Sequence, residues 1–322
     1  NDEIIYSVGE NYLTIKWERA WKFMSNSIFY SLLKKSVINQ YDFVISTEYN
    51  QVMTFLLSLL FRNKVYLYHG PYQDNNKKIV QKVYDMFLVP IMQNKITKVF
   101  TKSDLAKEYL INKGFKRVQT IGVGLDIEKL ENRNSNFISN LKNNIDGRKK
   151  NLLYVGVMED RRNIEFLFKV LAKLKSIDAN INLIVVGDGL RENIERYFLL
   201  ASKLKIDKNI FHIKQLPQSE LKYLYESVDL FVFPTSYEIF GMVLLESMYY
   251  KLPVVSTFNG GSQMLINEDS GIVLEELDEQ LWTDKIYQIL KNESLRSNLG
   301  ENAHRQINEK FTWNKIVDKI VE

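Results

Sequence analysis

The chain has 322 residues, of which 45% are hydrophobic and 25% charged, and a formal net charge of +4. Its length exceeds what one hydrophobic core usually fills, so two domains are expected, with the composition of an ordinary globular protein. It has no cysteine, which excludes disulfide scaffolds and thiolate nucleophiles, and its three histidines (His69, His212, His304) lie too far apart to suggest a structural zinc site. No apolar run reaches membrane-spanning length and no secretory leader is visible. The mild positive balance favours anionic partners in general, but the basic and aromatic residues fit no nucleic-acid-binding module.

In chain order, residues 4–8 predict a short strand. From residue 13 to residue 35, aromatic and aliphatic side chains are interleaved with lysine and arginine. A helical stretch is expected there, with Trp17, Trp21, Met24 and Phe29 on one side and Lys16, Arg19, Lys22, Lys34 and Lys35 around it. Such a helix suits either an anionic membrane surface or packing on a sheet with a solvated basic face. Residues 41–47 predict a strand, 52–61 an apolar helix, and 64–68 a strand that runs into His69-Gly70-Pro71. A histidine where a strand turns into a loop is placed where ligands bind, although a lone histidine is more often structural. Residues 80–91 predict a helix broken at Pro90. Residues 98–101 form the next strand, followed by a helix capped by Ser103 and a short strand over 118–121.

The polar, Asn-rich stretch 131–150 is the expected domain boundary. Beyond it, strand and helix alternate: strand 151–155 with Gly156 at its end, helix 164–174, strand 181–186 with Gly187 at its end, helix 191–204, and strand 210–213. Then come a short helix expected to be capped by Ser219, strand 230–233, and a helix opening at Gly241. Strand 253–256 leads to a loop over 257–261 containing Gly260 and Gly261, and helices follow to the end. Alternation of this kind predicts an α/β fold with parallel sheets, whose ligands bind beyond the carboxyl ends of the strands.

The segment from Phe231 to Glu246 carries the most chemistry. Pro234 stops the apolar strand, Glu238 lies in the loop, and Glu246 lies on the helix that follows. The backbone N–H groups of Phe240, Gly241 and Met242 at that helix start suit a phosphate, and the two carboxylates suit hydroxyls, which together suggest a nucleotide-sugar. The plain alternative is a helix-start carboxylate at 238 and a solvated one at 246. Arg161 and Arg162, at a strand-to-helix junction, suit a diphosphate or a surface basic pair.

Glu238-Ile239-Phe240-Gly241 with Glu246, after Phe233-Pro234-Thr235-Ser236, resembles the retaining GT-B glycosyltransferases of family GT4, as do Leu252 to Thr257 and Gly260-Gly261. Val123-Gly124-Leu125-Asp126 and Phe311-Thr312-Trp313 are similar to further family turns. Lys251 stands where glycine is usual, and Val157 where an arginine is usual. The resemblance implies two facing Rossmann-like domains with a cleft between them: an acceptor-side domain over 1–148 and a nucleotide-sugar-binding domain over 149–322. Nothing before Tyr6 matches the family's opening strand and Gly-rich loop, so the first domain is expected to lack or replace them.

By the same resemblance, Glu246 holds the ribose, Glu238 contacts the transferred sugar with the backbone of Phe240 and Gly241, and Met242 belongs to the nucleotide-sugar-binding residues. Arg161 and Arg162 stabilise the departing diphosphate, His69 lies near sugar and diphosphate, Gly156 and Gly187 line the nucleotide, and Leu216 lies near the base. The implied activity is retaining transfer of a hexose from a UDP-sugar, in preference to a GDP-sugar, to a glycan or lipid-linked glycan. No metal or other cofactor is implied. The implied place of work is cytoplasmic, with peripheral contact at the anionic inner face of the plasma membrane. A catalytically weak nucleotide-sugar-binding partner subunit is the alternative.

Overall fold

The computed structural model describes residues 3–8, 11–16, 18–23, 26–74, 78–131 and 149–321. The chain divides into two compact units, Asn1–Thr120 and Ile121–Glu322. The boundary expected near residue 148 falls among residues outside those described. The division comes earlier because residues just after Thr120 are bound into the second unit. Leu125 N donates to Phe311 O over 2.7 Å, and Tyr250 Oη donates to Leu130 O over 3.3 Å.

The first unit opens with two antiparallel pairs, β1 (Glu3–Val8) with β2 (Asn11–Lys16) and β3 (Trp21–Phe23) with β4 (Asn26–Ile28). These replace the helix expected over 13–35, and only a 3-10 turn at Tyr30–Leu33 and a short helix at Lys35–Ile38 follow. In residues 11–16 aromatic, β-branched and polar residues alternate with period two, and that alternation favours a strand once β1 offers a ladder, with Ile4 opposite Ile15 and Tyr6 opposite Leu13. Trp21 is half exposed on β3, while Trp17 and Met24 lie outside the described residues. The membrane face expected for this stretch therefore has no helix to carry it.

A four-stranded parallel sheet follows, in the order β5 (Val44–Thr47), β6 (Val65–His69), β7 (Lys98–Thr101) and β8 (Val118–Thr120). In β6 alternate residues Val65, Leu67 and His69 are buried. Tyr49, Leu67, Val89, Met92, Val99, Leu110 and Phe115 form one apolar cluster, and Ile38, Met53, Leu57, Phe61 and Val65 another. Ser103 caps the helix Asp104–Asn112 as expected, accepting from Ala106 N over 3.3 Å. The break expected at Pro90 falls instead at Leu88, between helices Lys78–Phe87 and Val89–Met92. Pro90 sits in the first turn of the second, where its missing N–H would have had no partner.

The second unit is built on a six-stranded parallel sheet. Its strands are β9 (Lys150–Val155), β10 (Ile181–Val186), β11 (Ile210–Ile213), β12 (Leu230–Phe233), β13 (Val254–Thr257) and β14 (Gly271–Leu274), in the spatial order β11-β10-β9-β12-β13-β14. β10, β12 and β13 are buried along their whole length, as a parallel sheet covered by helices on both faces requires. The strand order reverses between β9 and β12, which makes their carboxyl ends the switch point where such sheets take ligands. The helix Gln218–Glu226 starts after Pro217, so Ser219 lies within its first turn and not at its cap. Gly260 and Gly261 open a helix (Gly260–Leu265) rather than a loop, because Asn259 accepts from Gly261 N and Ser262 N and forms a capping box with Ser262. No helix among the described residues is long and apolar enough to cross a membrane.

Candidate functional site

The loops leaving β9 and β12 are bound to each other. After β9 the chain makes a 3-10 turn, Asp160–Arg162, and then takes a left-handed conformation at Asn163, with φ 55°. That conformation suits asparagine better than most side chains. The Asn163 amide donates from Nδ2 to Pro234 O over 2.6 Å and to Ser236 Oγ over 2.7 Å. In return Ser236 N donates to Arg161 O over 3.2 Å.

The two arginines are held differently. Arg162 is largely buried, with its guanidinium carbon 5.7 Å from the Phe233 ring centre and Nη1 2.6 Å from Glu238 Oε2. Arg161 is more open to solvent. It donates from Nη1 to Tyr237 O over 2.8 Å, and its Nε lies 2.6 Å from Glu159 Oε1. Arg161, Arg162 and Glu238 thus share one switch-point cluster, with Glu159 as a clamp that sequence reasoning had not singled out.

Glu238 also accepts from Ile239 N, over 3.1 Å to Oε1. It does not cap the helix Met242–Tyr249, whose N-cap is Gly241 without any side-chain bond. Gly241 has φ 79°, a conformation that costs other residues about 1–2 kcal/mol, and it turns the chain from the loop into the helix. Phe240 is buried against Phe311, while Met242, in the first turn, is partly exposed. Leu244 N already donates to Gly241 O over 2.9 Å, and the amides of Met242 and Val243 precede any intrahelical acceptor, so the first turn is chemically open to an anion. Beneath it Thr257 Oγ1 and Asn259 Nδ2 both donate to Thr235 O, over 2.6 and 2.9 Å, which anchors the β12 loop to β13.

Glu246 is 4% exposed, which removes the reading of a solvated helix carboxylate. Gln218 Nε2 donates to its Oε1 over 2.8 Å and Tyr225 Oη to its Oε2 over 3.2 Å. Burial, and after it the charge of Glu246, raise the Tyr225 phenol well above its ordinary value, so it remains a donor. A carboxylate held by two side-chain donors is fixed in position.

Gly156 ends β9 and Gly187 ends β10, and their backbones nearly touch. A Cβ at Gly187 would stand 1.9 Å from Gly156 O. His212 faces the same turn, with Nε2 2.8 Å from Gly187 O. Leu216 is buried, three positions beyond the end of β11.

His69 belongs to the first unit, where it ends β6 and is 1% exposed. Its Nδ1 lies 2.7 Å from Glu48 Oε2, and its ring stacks on Tyr109 and meets Tyr49 edge-on. Glu48, with φ 61°, is a partner that no sequence pattern had marked.

Residues 137–306 match the family model described as glycosyl transferases group 1. The D-inositol 3-phosphate glycosyltransferase of Corynebacterium urealyticum is 27% identical over 214 residues, which cover 64% of this chain and 50% of that protein. The capsular polysaccharide biosynthesis glycosyltransferase CapM of Staphylococcus aureus is 28% identical over 245 residues, 72% of this chain and 60% of that one. The chain therefore spans between half and three fifths of the length of these curated relatives. The crystal structure of Anabaena Alr3699/HepE in complex with UDP superposes with a TM-score of 0.76 at 17% identity, covering 91% of this chain and 80% of that one. At that identity the likeness speaks to the fold.

Proposed function

The chain belongs to the glycosyl transferases group 1 family and carries the two Rossmann-like parallel sheets of a GT-B fold; from that premise we propose that it moves a hexose from a UDP-sugar to a glycan or lipid-linked glycan acceptor, with retention at the anomeric carbon. The observation that carries the reading is the cluster at the carboxyl ends of β9 and β12, where Arg161, Arg162, Glu238 and an open helix start meet at the switch point.

In this reading the ribose hydroxyls bond to Glu246, whose carboxylate Gln218 and Tyr225 hold in place. The diphosphate lies across the Gly156–Gly187 approach, where the absence of side chains leaves the backbone accessible, and Leu216 lies near the base. Glu238 and the backbone of Phe240, Gly241 and Met242 address the sugar. Arg161 and Arg162 supply fixed positive charge as the bond from the anomeric carbon to the diphosphate oxygen breaks. The acceptor oxygen bonds to the anomeric carbon on the face from which the diphosphate departs, and its proton passes to the departing phosphate oxygen. No protein nucleophile is required. His69, which stands 2.7 Å from Glu48, is the first unit's candidate for the transfer step. The preference for UDP is supported by the UDP complex of the Anabaena neighbour and nothing more specific.

Titration of UDP- and GDP-hexoses, followed by an assay for UDP release with glycan acceptors, tests this reading. It predicts binding of a UDP-hexose and acceptor-dependent release of UDP. Failure of every nucleotide-sugar to bind would overturn it, and binding without any transfer would instead favour a partner subunit.

A further inference from the structure

His212 takes no part in the donor chemistry, yet it is fixed at the edge of that site. It lies on β11 opposite Val185 of β10, one position before Ile213, which pairs with Val186. Its ring packs against Phe198 of the helix Arg191–Lys203, with ring centres 5.3 Å apart, and Phe198 in turn meets Phe168 edge-on. From there Nε2 reaches past the end of β10 to Gly187 O, over 2.8 Å. A carbonyl oxygen only accepts, so Nε2 carries a proton and donates.

That bond fixes the plane of one peptide group. Gly187 N donates to Ile213 O over 2.9 Å and Gly187 O accepts from His212, so both polar groups of Gly187 are turned toward β11. The peptide bond from Gly187 to Asp188 is trans, and in a planar trans unit the carbonyl oxygen and the next N–H point in opposite directions. Asp188 N–H is therefore turned away from β11, to the side where β9 ends at Gly156. On that side Met158 N donates to Asp188 O over 2.9 Å, and Gly189 N donates to Asp188 Oδ1 over 2.9 Å. Asp188 N itself meets no aligned acceptor among the described residues. A peptide that follows glycine needs such a tether, because glycine leaves its plane free to rotate.

We propose that His212 is a positioning residue of the donor site: by holding Gly187 O it aims Asp188 N–H at a phosphate oxygen of the nucleoside diphosphate, without touching the ligand itself. An N–H whose plane is set before the ligand arrives binds an anion without the cost of ordering the turn. The inference rests on the reading that the diphosphate lies across the Gly156–Gly187 approach. It adds to that reading the side chain that makes the glycine turn a donor of fixed direction.

Isothermal titration of UDP and of uridine into the whole chain and its variants tests it. His212→Phe keeps a ring against Phe198 and removes the donor. His212→Asn keeps an amide, but one that falls short of Gly187 O, whereas His212→Gln carries an amide out to the place of Nε2. UDP affinity should fall about three- to tenfold in His212→Phe and His212→Asn, the worth of one hydrogen bond, and stay within about twofold of the parent in His212→Gln. Uridine affinity should be the same in all of them, and urea midpoints measured alongside should not follow the order of UDP affinity. Parent-like UDP affinity in His212→Phe and His212→Asn would overturn the proposal while leaving the donor site in place. So would a loss shared equally by uridine, or one that His212→Gln does not recover, because the ring would then act through packing alone. A parent that binds no UDP would overturn the donor site and this inference together.

Discussion

Arg162 Nη1 stands 2.6 Å from Glu238 Oε2, and this contact ties the loop after β9 to the loop after β12 at the point where the strand order reverses. Both side chains are largely buried, so the pair is neither a screened surface bridge nor a fully dehydrated one. Arg162→Ala removes the cation that faces Glu238 and should cost about 1–3 kcal/mol of stability. In a denaturant double-mutant cycle, Glu238→Gln should recover part of that loss in the Arg162→Ala background. Additive single losses would mean that the contact contributes nothing of its own.

Glu48 Oε2 stands 2.7 Å from Nδ1 of His69, close enough to set the orientation of the ring, although neither atom has an aligned hydrogen-bond partner among the described residues. His69→Ala should lower kcat about a hundredfold, within the range of a group acting at the reacting centre. Glu48→Gln should lower kcat about tenfold with little change in KM for the donor, because it disturbs only the orientation of the ring. Steady-state kinetics on folded variants check this. A change confined to KM would assign Glu48 to binding.

The close approach of Gly187 to Gly156 predicts a contrast between two glycines. A Cβ at 187 meets a backbone carbonyl at 1.9 Å, which cannot move without displacing β9. A Cβ at Gly241 meets Leu244 Cδ1 at 3.0 Å, the end of a side chain that can shift. Gly187→Ala should destabilise by more than about 3 kcal/mol, and Gly241→Ala by about 1–2 kcal/mol from its left-handed backbone. Urea unfolding of both variants measures the difference, and equal losses would contradict it.

The second unit was largely readable because its strands are buried on both faces. Leu152 to Val155, Leu183 to Val186 and Leu230 to Phe233 are unbroken apolar runs of strand length, each followed by glycine or proline. The spacing of Glu238 and Glu246 was equally plain. Their surroundings were not, because the partners of Glu246 lie 28 and 21 positions away and meet it only through the fold. The interleaving of aromatic and basic residues over 13–23 admits periods of both two and 3.6. Only the pairing of β2 with β1 and of β3 with β4 decided for strands. In the helix Lys78–Phe87 the period was visible, but the buried face was not. The polar stripe went inward because Tyr49 and Lys113, both distant in sequence, offer it partners there.

Those buried phenols set an alkaline limit. Burial, against the bond with Tyr49 and aided by the bond to Asp74, pushes Tyr109 up to about 12, and burial raises Tyr49 and Tyr84 as well. The folded state therefore holds these protons more tightly than the unfolded one. Their contribution to stability is complete below the ordinary value of 10.0 and is lost as pH rises through the folded values. The melting temperature should fall between pH of about 10 and about 12, with tyrosinate absorbance appearing together with unfolding. Ionisation of all tyrosines near their ordinary value in a still-folded protein would contradict this.

The central claim is that Glu246 and the arginine pair hold two different parts of one nucleoside diphosphate. Isothermal titration of UDP and of uridine into the parent, Glu246→Gln, and the combined Arg161→Ala, Arg162→Ala variant tests it directly. A charge-assisted bond to a hydroxyl contributes about 1.5–3 kcal/mol, so Glu246→Gln should weaken UDP and uridine alike by about ten- to a hundredfold. The arginine variant should weaken UDP by a similar factor and leave uridine unchanged. Parent-like affinity for UDP in both variants would contradict the account, because the cluster at β9 and β12 would then not be where the nucleotide binds.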